Sequence, residues 1–212
     1  MAGRNFYRYA SGRDKGRPKT FHFVGGNRMD AAQDISNAVA LQVKVAFCLN
    51  DLSNNPRLLA KDGGGMRLTV NSNGSVTFSD GTDSVTNAAG SVSRNTAHEV
   101  IAQWTTTGGA GSGQLFVSVD GAFPTIANRT SLTALLNHLY IGGYDSGTTE
   151  INGEVWDVRV YEGGTLTHRW KLLDRDLTDS VGSDDLTLVK VRNPAGVWKS
   201  ATDYYPTLVA SP

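Results

Sequence analysis

The chain has 212 residues; aliphatic and aromatic residues make up 39% of it, charged residues 19%, and 24 positions are glycine. That balance describes a turn-rich globular protein and excludes both a disordered tail and a coiled coil. Twenty Lys and Arg offset twenty Asp and Glu, so no overall field draws the molecule to nucleic acid or to an anionic membrane.

Residues 1 to 20 contain Arg4, Arg8, Arg13, Lys15, Arg17 and Lys19 against Asp14 alone, interleaved with Phe6, Tyr7 and Tyr9. This reads as a basic arm, either solvated or a tether whose Arg4, Phe6, Tyr7, Arg8 and Tyr9 dock on a partner subunit. The stretch lacks an apolar core of the secretory type, so a protein made in a cytosol is expected. No window reaches the roughly eighteen apolar residues of a membrane-spanning helix.

Thr20 to Asp30 resembles the opening signature of a known domain family, an apolar strand, the Gly25-Gly26 turn, then a polar residue before a second strand. From Ala38 to Leu49, Val39, Leu41, Val43, Val45 and Phe47 alternate with Ala40, Gln42, Lys44 and Ala46, the signature of a half-buried strand. Cys48, the single cysteine, lies in that run as a small buried hydrophobe, and without a second cysteine no intrachain disulfide supports the fold. Leu58 to Lys61 is a further strand. Met66–Val70 and Val76–Phe78 flank Asn73-Gly74, which supplies the positive φ angles of a tight hairpin turn. Asp83 to Ser93 reads as a loop or an edge strand. Ala97–Trp104 and Gln114–Gly121 are strands, the second with Leu115, Val117 and Val119 on one side and Asp120-Gly121 as its reversal. Ser131–Asn137 alone has helical spacing, behind a Ser N-cap. Leu139-Tyr140-Ile141 stops at Gly142-Gly143, and after a polar loop Val155–Tyr161 puts Trp156, Val158 and Val160 on one face and Asp157, Arg159 and Tyr161 on the other. Leu166–Leu173 is a strand, and residues 201 to 212 read as a tail.

The arrangement Ile141-Gly142-Gly143, polar loop, then Gly153 and Val155-Trp156-Asp157-Val158-Arg159-Val160-Tyr161 resembles the last part of laminin-G-like, concanavalin A-like jelly-roll domains. His98-Glu99-Val100-Ile101-Ala102 resembles the family's central strand, with Ala97 where tryptophan is usual, and Val117-Ser118-Val119-Asp120-Gly121 its strand and turn, with Ser118 in place of tyrosine. His168 to Val191 is similar to a segment found in such domains of bacteriophage virion proteins. The resemblance, patchy from Phe21 to Trp198, implies an all-β sandwich of two antiparallel sheets with one short helical turn, a single domain over residues 21 to 200. It further implies a virion accessory protein (capsid decoration, fibre or tail subunit) whose partners are other virion proteins, copies of itself or host surface glycans. The competing reading is a free-standing carbohydrate-binding module.

Catalysis finds little support. Glucanases of this class set acidic residues at alternate positions of one strand so that they share a cleft, whereas the three-residue spacing of Glu154 and Asp157 is expected to send them to opposite faces. The four histidines, His22, His98, His138 and His168, show no metal-ligand spacing. Asp174 to Asp179 is a weak calcium-loop match with Asp179 at the glycine position. No metal or cofactor is expected; were calcium bound, Asp80, Asp83, Asp145 and Asp179 are the available oxygen donors. Sugar recognition needs an aromatic face with planar hydrogen-bonding groups beside it, and Trp104, Tyr144, Asp145 and Tyr161 are the candidates. Trp104 has the alternative role of capping the core, and Tyr161 that of shielding an edge.

Overall fold

Period-two alternation decides the architecture. The computed structural model describes residues 19–23, 27–31, 40–61, 65–106, 113–130, 139–143, 151–172, 176–190 and 208–210, and among these every regular element is a β-strand. Numbered in chain order, the larger sheet runs β10 (Thr125–Arg129), β9 (Gly113–Val119), β8 (Ala97–Thr106), β3 (Ala40–Leu49), β12 (Gly153–Glu162), β1 (Lys19–Phe23) and β15 (Leu208–Ala210), with β13 (Thr165–Trp170) also paired to β12. The smaller sheet runs β14 (Leu186–Lys190), β2 (Asn27–Ala31), β11 (Leu139–Ile141), β4 (Arg57–Lys61), β5 (Arg67–Val70), β6 (Val76–Ser79) and β7 (Ser84–Thr86). All these pairings are antiparallel, and the non-consecutive order within each sheet is that of a jelly-roll sandwich.

The interior follows from the alternation. Leu41, Val43, Val45, Phe47 and Leu49 of β3 are fully buried, as are Val100, Ala102 and Trp104 of β8; Met29, Leu68, Phe78 and Ile141 of the smaller sheet belong to the same core. Gly142, at φ 91°, has no room for a Cβ against the Phe23 ring, and one on Gly153 would run into the Cys48 carbonyl. Both glycines marked by the sequence therefore mark close approach of backbone to its neighbours.

Strand β12 departs from simple alternation. Val155 pairs with Phe47 but the next pair is Asp157 with Ala46, which places Trp156 in a β-bulge. Val155, Val158 and Val160 are fully buried, and Trp156 is only half-buried. The expected core trio of Trp156, Val158 and Val160 is thus corrected to Val155, Val158 and Val160. The same extra residue overturns the expectation for Glu154 and Asp157. They pair with Cys48 and Ala46, which lie on one face of β3, so the two carboxylates share the outer face.

Lys19 and Thr20 already belong to β1 and Leu208–Ala210 forms β15 beside it, so the start of β1 and all of β15 fall inside segments expected to be arm and tail. The expected helical turn at 131–137 lies outside the described residues.

One corner of the sandwich is closed by charge. Arg129 at the end of β10 and Asp80 after β6 form a fully buried ion pair through Arg129 Nε. Asp80 also accepts the N–H groups of Thr82 and Asp83 at 2.9 and 2.8 Å, and Asp83 in turn accepts from the Thr130 amide. The guanidinium carbon lies 5.1 Å from the Trp104 ring centroid. Removing one partner of such a pair strands the other charge in the interior, so Asp80→Ala should lower the unfolding free energy by about 3–5 kcal/mol. Urea denaturation of the variant beside the wild type checks this.

Candidate functional site

Because alternation sends every second residue of the larger sheet outward, the register assembles rows of side chains across strands far apart in sequence. One such row reads Ile126, Phe116, Gln103, Gln42, Tyr161 and Leu166, each paired with the next across β10, β9, β8, β3, β12 and β13. Ile126 is 51% exposed, and Phe116, Gln103, Gln42 and Tyr161 are half-buried, as outward residues of a sheet are when neighbours lean on them. Gln42 Nε2 donates to Gln103 Oε1 at 2.9 Å. That bond orients both amides and leaves the Gln42 carbonyl oxygen as an acceptor beside the Gln103 amide donor. Phe116 and Tyr161 flank the pair three strands apart, about 14 Å. Two aromatic rings with a donor and an acceptor between them meet the requirements for binding sugar rings.

The adjacent row is Ser118, Ile101, Lys44, Arg159 and Arg169. Asp157 accepts from Arg169 Nε at 3.0 Å and from Arg159 Nη2, so one carboxylate sits between two guanidiniums. Burial works against charge on Arg159, but Asp157 and the Tyr161 oxygen outweigh it and hold its pKa above the ordinary value. Lys44 Nζ stands 5.1 Å from the centre of the Tyr161 ring.

Among the residues expected to bind sugar, Tyr161 therefore lies on the outer face beside the glutamine pair. Trp104 does not. It is fully buried, stacked on Phe78 at 6.1 Å with the rings 10° from parallel, because it pairs with the inward Leu41 and Leu115. Its role is the alternative one, in the core. Tyr144, Asp145 and the arm residues Arg4, Phe6, Tyr7, Arg8 and Tyr9 lie outside the described residues. Gln42, Gln103 and Phe116 were not singled out, although alternation already placed them opposite the core positions.

The aspartates considered as calcium donors are committed elsewhere: Asp80 to Arg129, Asp83 to Thr130, and Asp179 to the His168 ring at 2.7 Å and three backbone amides. Among the described residues no three His, Cys, Asp or Glu side chains converge as a metal site. Two histidines do pair with aspartates in the manner of a catalytic dyad. His98 Nδ1 is 2.7 Å from Asp120, and Ser93 Oγ stands 3.4 Å from His98 Nε2, an arrangement reminiscent of a hydrolytic triad. The same Nε2 accepts the Ser93 backbone N–H at 3.0 Å. A neutral imidazole has a single lone pair there, and with it engaged the ring cannot take the hydroxyl proton. His98 therefore ties the 93–98 turn to the β9 reversal, and His168, stacked on Trp170 at 5.5 Å, does the same for the Asp179 loop.

These two antiparallel sheets have the strand order of a concanavalin A-like jelly-roll fold. No family model matches the chain, and no curated protein matches it in sequence. Among solved structures, a protein from Bacteroides ovatus named as carbohydrate-binding superposes with a TM-score of 0.56 at 13% identity, over 81% of this chain. The chain spans 60% of that protein's length. A heptameric SAP-like pentraxin from Limulus polyphemus superposes with a TM-score of 0.52 at 11% identity, over 82% of this chain and 94% of the pentraxin. At such identities the likeness is one of fold, and it is the fold expected from the sequence.

Two outcomes follow from the local chemistry. Burial pushes the Asp179 carboxyl up, but the amides of Arg169, Gly182 and Val181 and the His168 ring together outweigh it and hold it below the usual range. A carboxylate lowered on folding stabilises the native state above its unfolded value of about 3.9 and loses that contribution as pH falls. Asp179→Asn should therefore be less stable at neutral pH and show a flatter decline in acid, measured as unfolding free energy against pH. Burial, and then Glu154 beside it, push the Cys48 thiol up to about 11. Its labelling by a thiol reagent at pH about 8 should run roughly 100-fold slower in the native protein than in urea.

Proposed function

We propose that the chain is a non-catalytic carbohydrate-binding domain that lays an oligosaccharide across the outer face of its larger sheet. The observation that carries this is the in-register row Phe116, Gln103, Gln42 and Tyr161, in which two rings flank an oriented amide pair. Tyr161 and Phe116 supply apolar surface for the sugar rings, while the Gln42 carbonyl and the Gln103 amide meet neighbouring hydroxyls. A glycosidase on this face would need one carboxylic acid to donate a proton and a second carboxylate opposite it. Asp157 is engaged by both Arg159 and Arg169, which turns its oxygens away from that task. Binding without hydrolysis is the reading that fits.

The setting we propose is a bacteriophage virion, where such a domain would attach the particle to host surface glycans or to neighbouring virion proteins through the basic arm of residues 1 to 20. The support for it is the resemblance of the His168–Val191 segment to virion proteins. A glycan array probed with the full chain tests the binding function. Binding to a subset of glycans is expected, weakened about tenfold or more by Tyr161→Ala and by Gln42→Ala with Gln103→Ala, each replacement removing a contact of roughly 1.4 kcal/mol. A folded chain that binds no glycan, or variants that bind as the wild type does, would overturn it, and release of reducing sugar would overturn the non-catalytic part.

A further inference from the structure

We propose that the saccharide carries an oxyanion, a carboxylate or a sulfate ester, which the row of Lys44, Arg159 and Arg169 receives while the sugar ring lies on the Gln103, Gln42 and Tyr161 row. This rests on the glycan-binding reading above and adds the chemical class of the ligand to it.

The argument begins with a cost that the sheet accepts. Lys44, Arg159 and Arg169 are direct cross-strand neighbours on β3, β12 and β13, and like charges placed opposite one another in an antiparallel sheet repel. Asp157 offsets one of the three and contacts only the two arginines among them. Two positive charges of this group are left uncompensated by it, and Arg159 Nε is buried without a hydrogen-bond partner. The remaining acids of the face lie on the far side. Glu99 shares the row of Ala46 and Asp157, and Glu154 the row of Cys48 beyond it, each row roughly 7 Å further along the strands. The row on the near side of the glutamines, Asn128, Gln114, Thr105 and Ala40, carries no charge. The face is therefore sorted into a neutral hydrogen-bonding strip, a cationic strip and an acidic strip. An anion entering from the neutral strip meets the cations first.

The Lys44 ammonium decides between neutral and anionic ligands. It stands over the face of Tyr161, 5.1 Å from the ring centre, where a stacking sugar would lie. A neutral sugar has to displace it and forgo the cation–π contact. An anionic substituent draws the ammonium off the ring into an ion pair, so the same movement that opens the aromatic face is compensated. A planar guanidinium beside it at Arg159 suits a carboxylate or sulfate edge.

Calorimetric titration of the full chain with oligogalacturonate and with its methyl ester, and with sulfated and unsulfated dextran, tests this. The expected result is that an acid form binds about tenfold or more tightly than its neutral counterpart, with an advantage that shrinks as salt is raised. A larger advantage in the sulfated pair assigns the oxyanion as sulfate; a larger one in the galacturonate pair assigns it as carboxylate. Lys44→Gln, which leaves both Asp157 ion pairs in place, should remove most of the preference, and Arg169→Lys should retain more of it than Arg169→Gln. Equal binding of charged and neutral forms overturns the proposal and leaves glycan binding standing, as does a wild type that binds only neutral sugars on the array. A preference unchanged in Lys44→Gln overturns it too. A folded chain that binds nothing on the array removes the glycan reading itself.

Discussion

The outer face of the larger sheet depends on the seam between β3 and β12. Nine residues of β12 find partners along β3, and a single bulge at Trp156 interrupts the ladder. On one side of the bulge Val155 faces the core; on the other Val158 and Val160 do, three and five residues on. Without the extra residue, period-two geometry would bring either Val155 or the Val158 and Val160 pair to the outside. The bulge reconciles them, and the same shift places Asp157, Arg159 and Tyr161 in register with Ala46, Lys44 and Gln42. A packing requirement inside the sandwich thus sets the chemistry outside it.

Charge is used in two ways in the molecule. Arg129 and Asp80 are removed from water altogether, and their pairing ties the end of β10 to the loop after β6 where the two sheets meet. Such a pair contributes little net stability relative to apolar residues of similar size, but it penalises any arrangement that separates its members. Arg159, Arg169 and Asp157 keep between 15% and 30% of their side-chain surface in contact with solvent. Their charges remain hydrated enough to be carried cheaply and accessible enough to meet a ligand. The first arrangement belongs to the fold, the second to the site.

The histidine and aspartate pairs show why composition of a site is weaker evidence than its hydrogen bonds. Ser93, His98 and Asp120 stand at distances that invite a catalytic reading, and one backbone N–H at 3.0 Å is enough to withdraw it. The two glutamines, in contrast, are chemically unremarkable as residues. They acquire a role because β3 and β8 bring them side by side with their amides already oriented.

The amino-acid sequence by itself determined the strands, because alternation of apolar and polar residues is written locally: β3, β8, β9 and the β5–β6 hairpin lie where the pattern and the Asn73-Gly74 turn put them. Their layering into a sandwich came from the resemblance to jelly-roll domains, because half-apolar strands by themselves fit a closed barrel equally well. Short β10 and β14 escaped notice because Thr125–Arg129 and Leu186–Lys190 are too brief to establish a period, and β15 because its three residues gain strand character only by pairing with β1. What only the tertiary structure decided is which strands lie side by side. Trp104 and Tyr161 look equally suited to a sugar in the sequence, yet one is inward and stacked on Phe78 while the other stands outward beside Gln42. Side-chain direction in a strand is a parity, and one inserted residue reverses it. Neighbours across a sheet are set by long-range register, which no local pattern records.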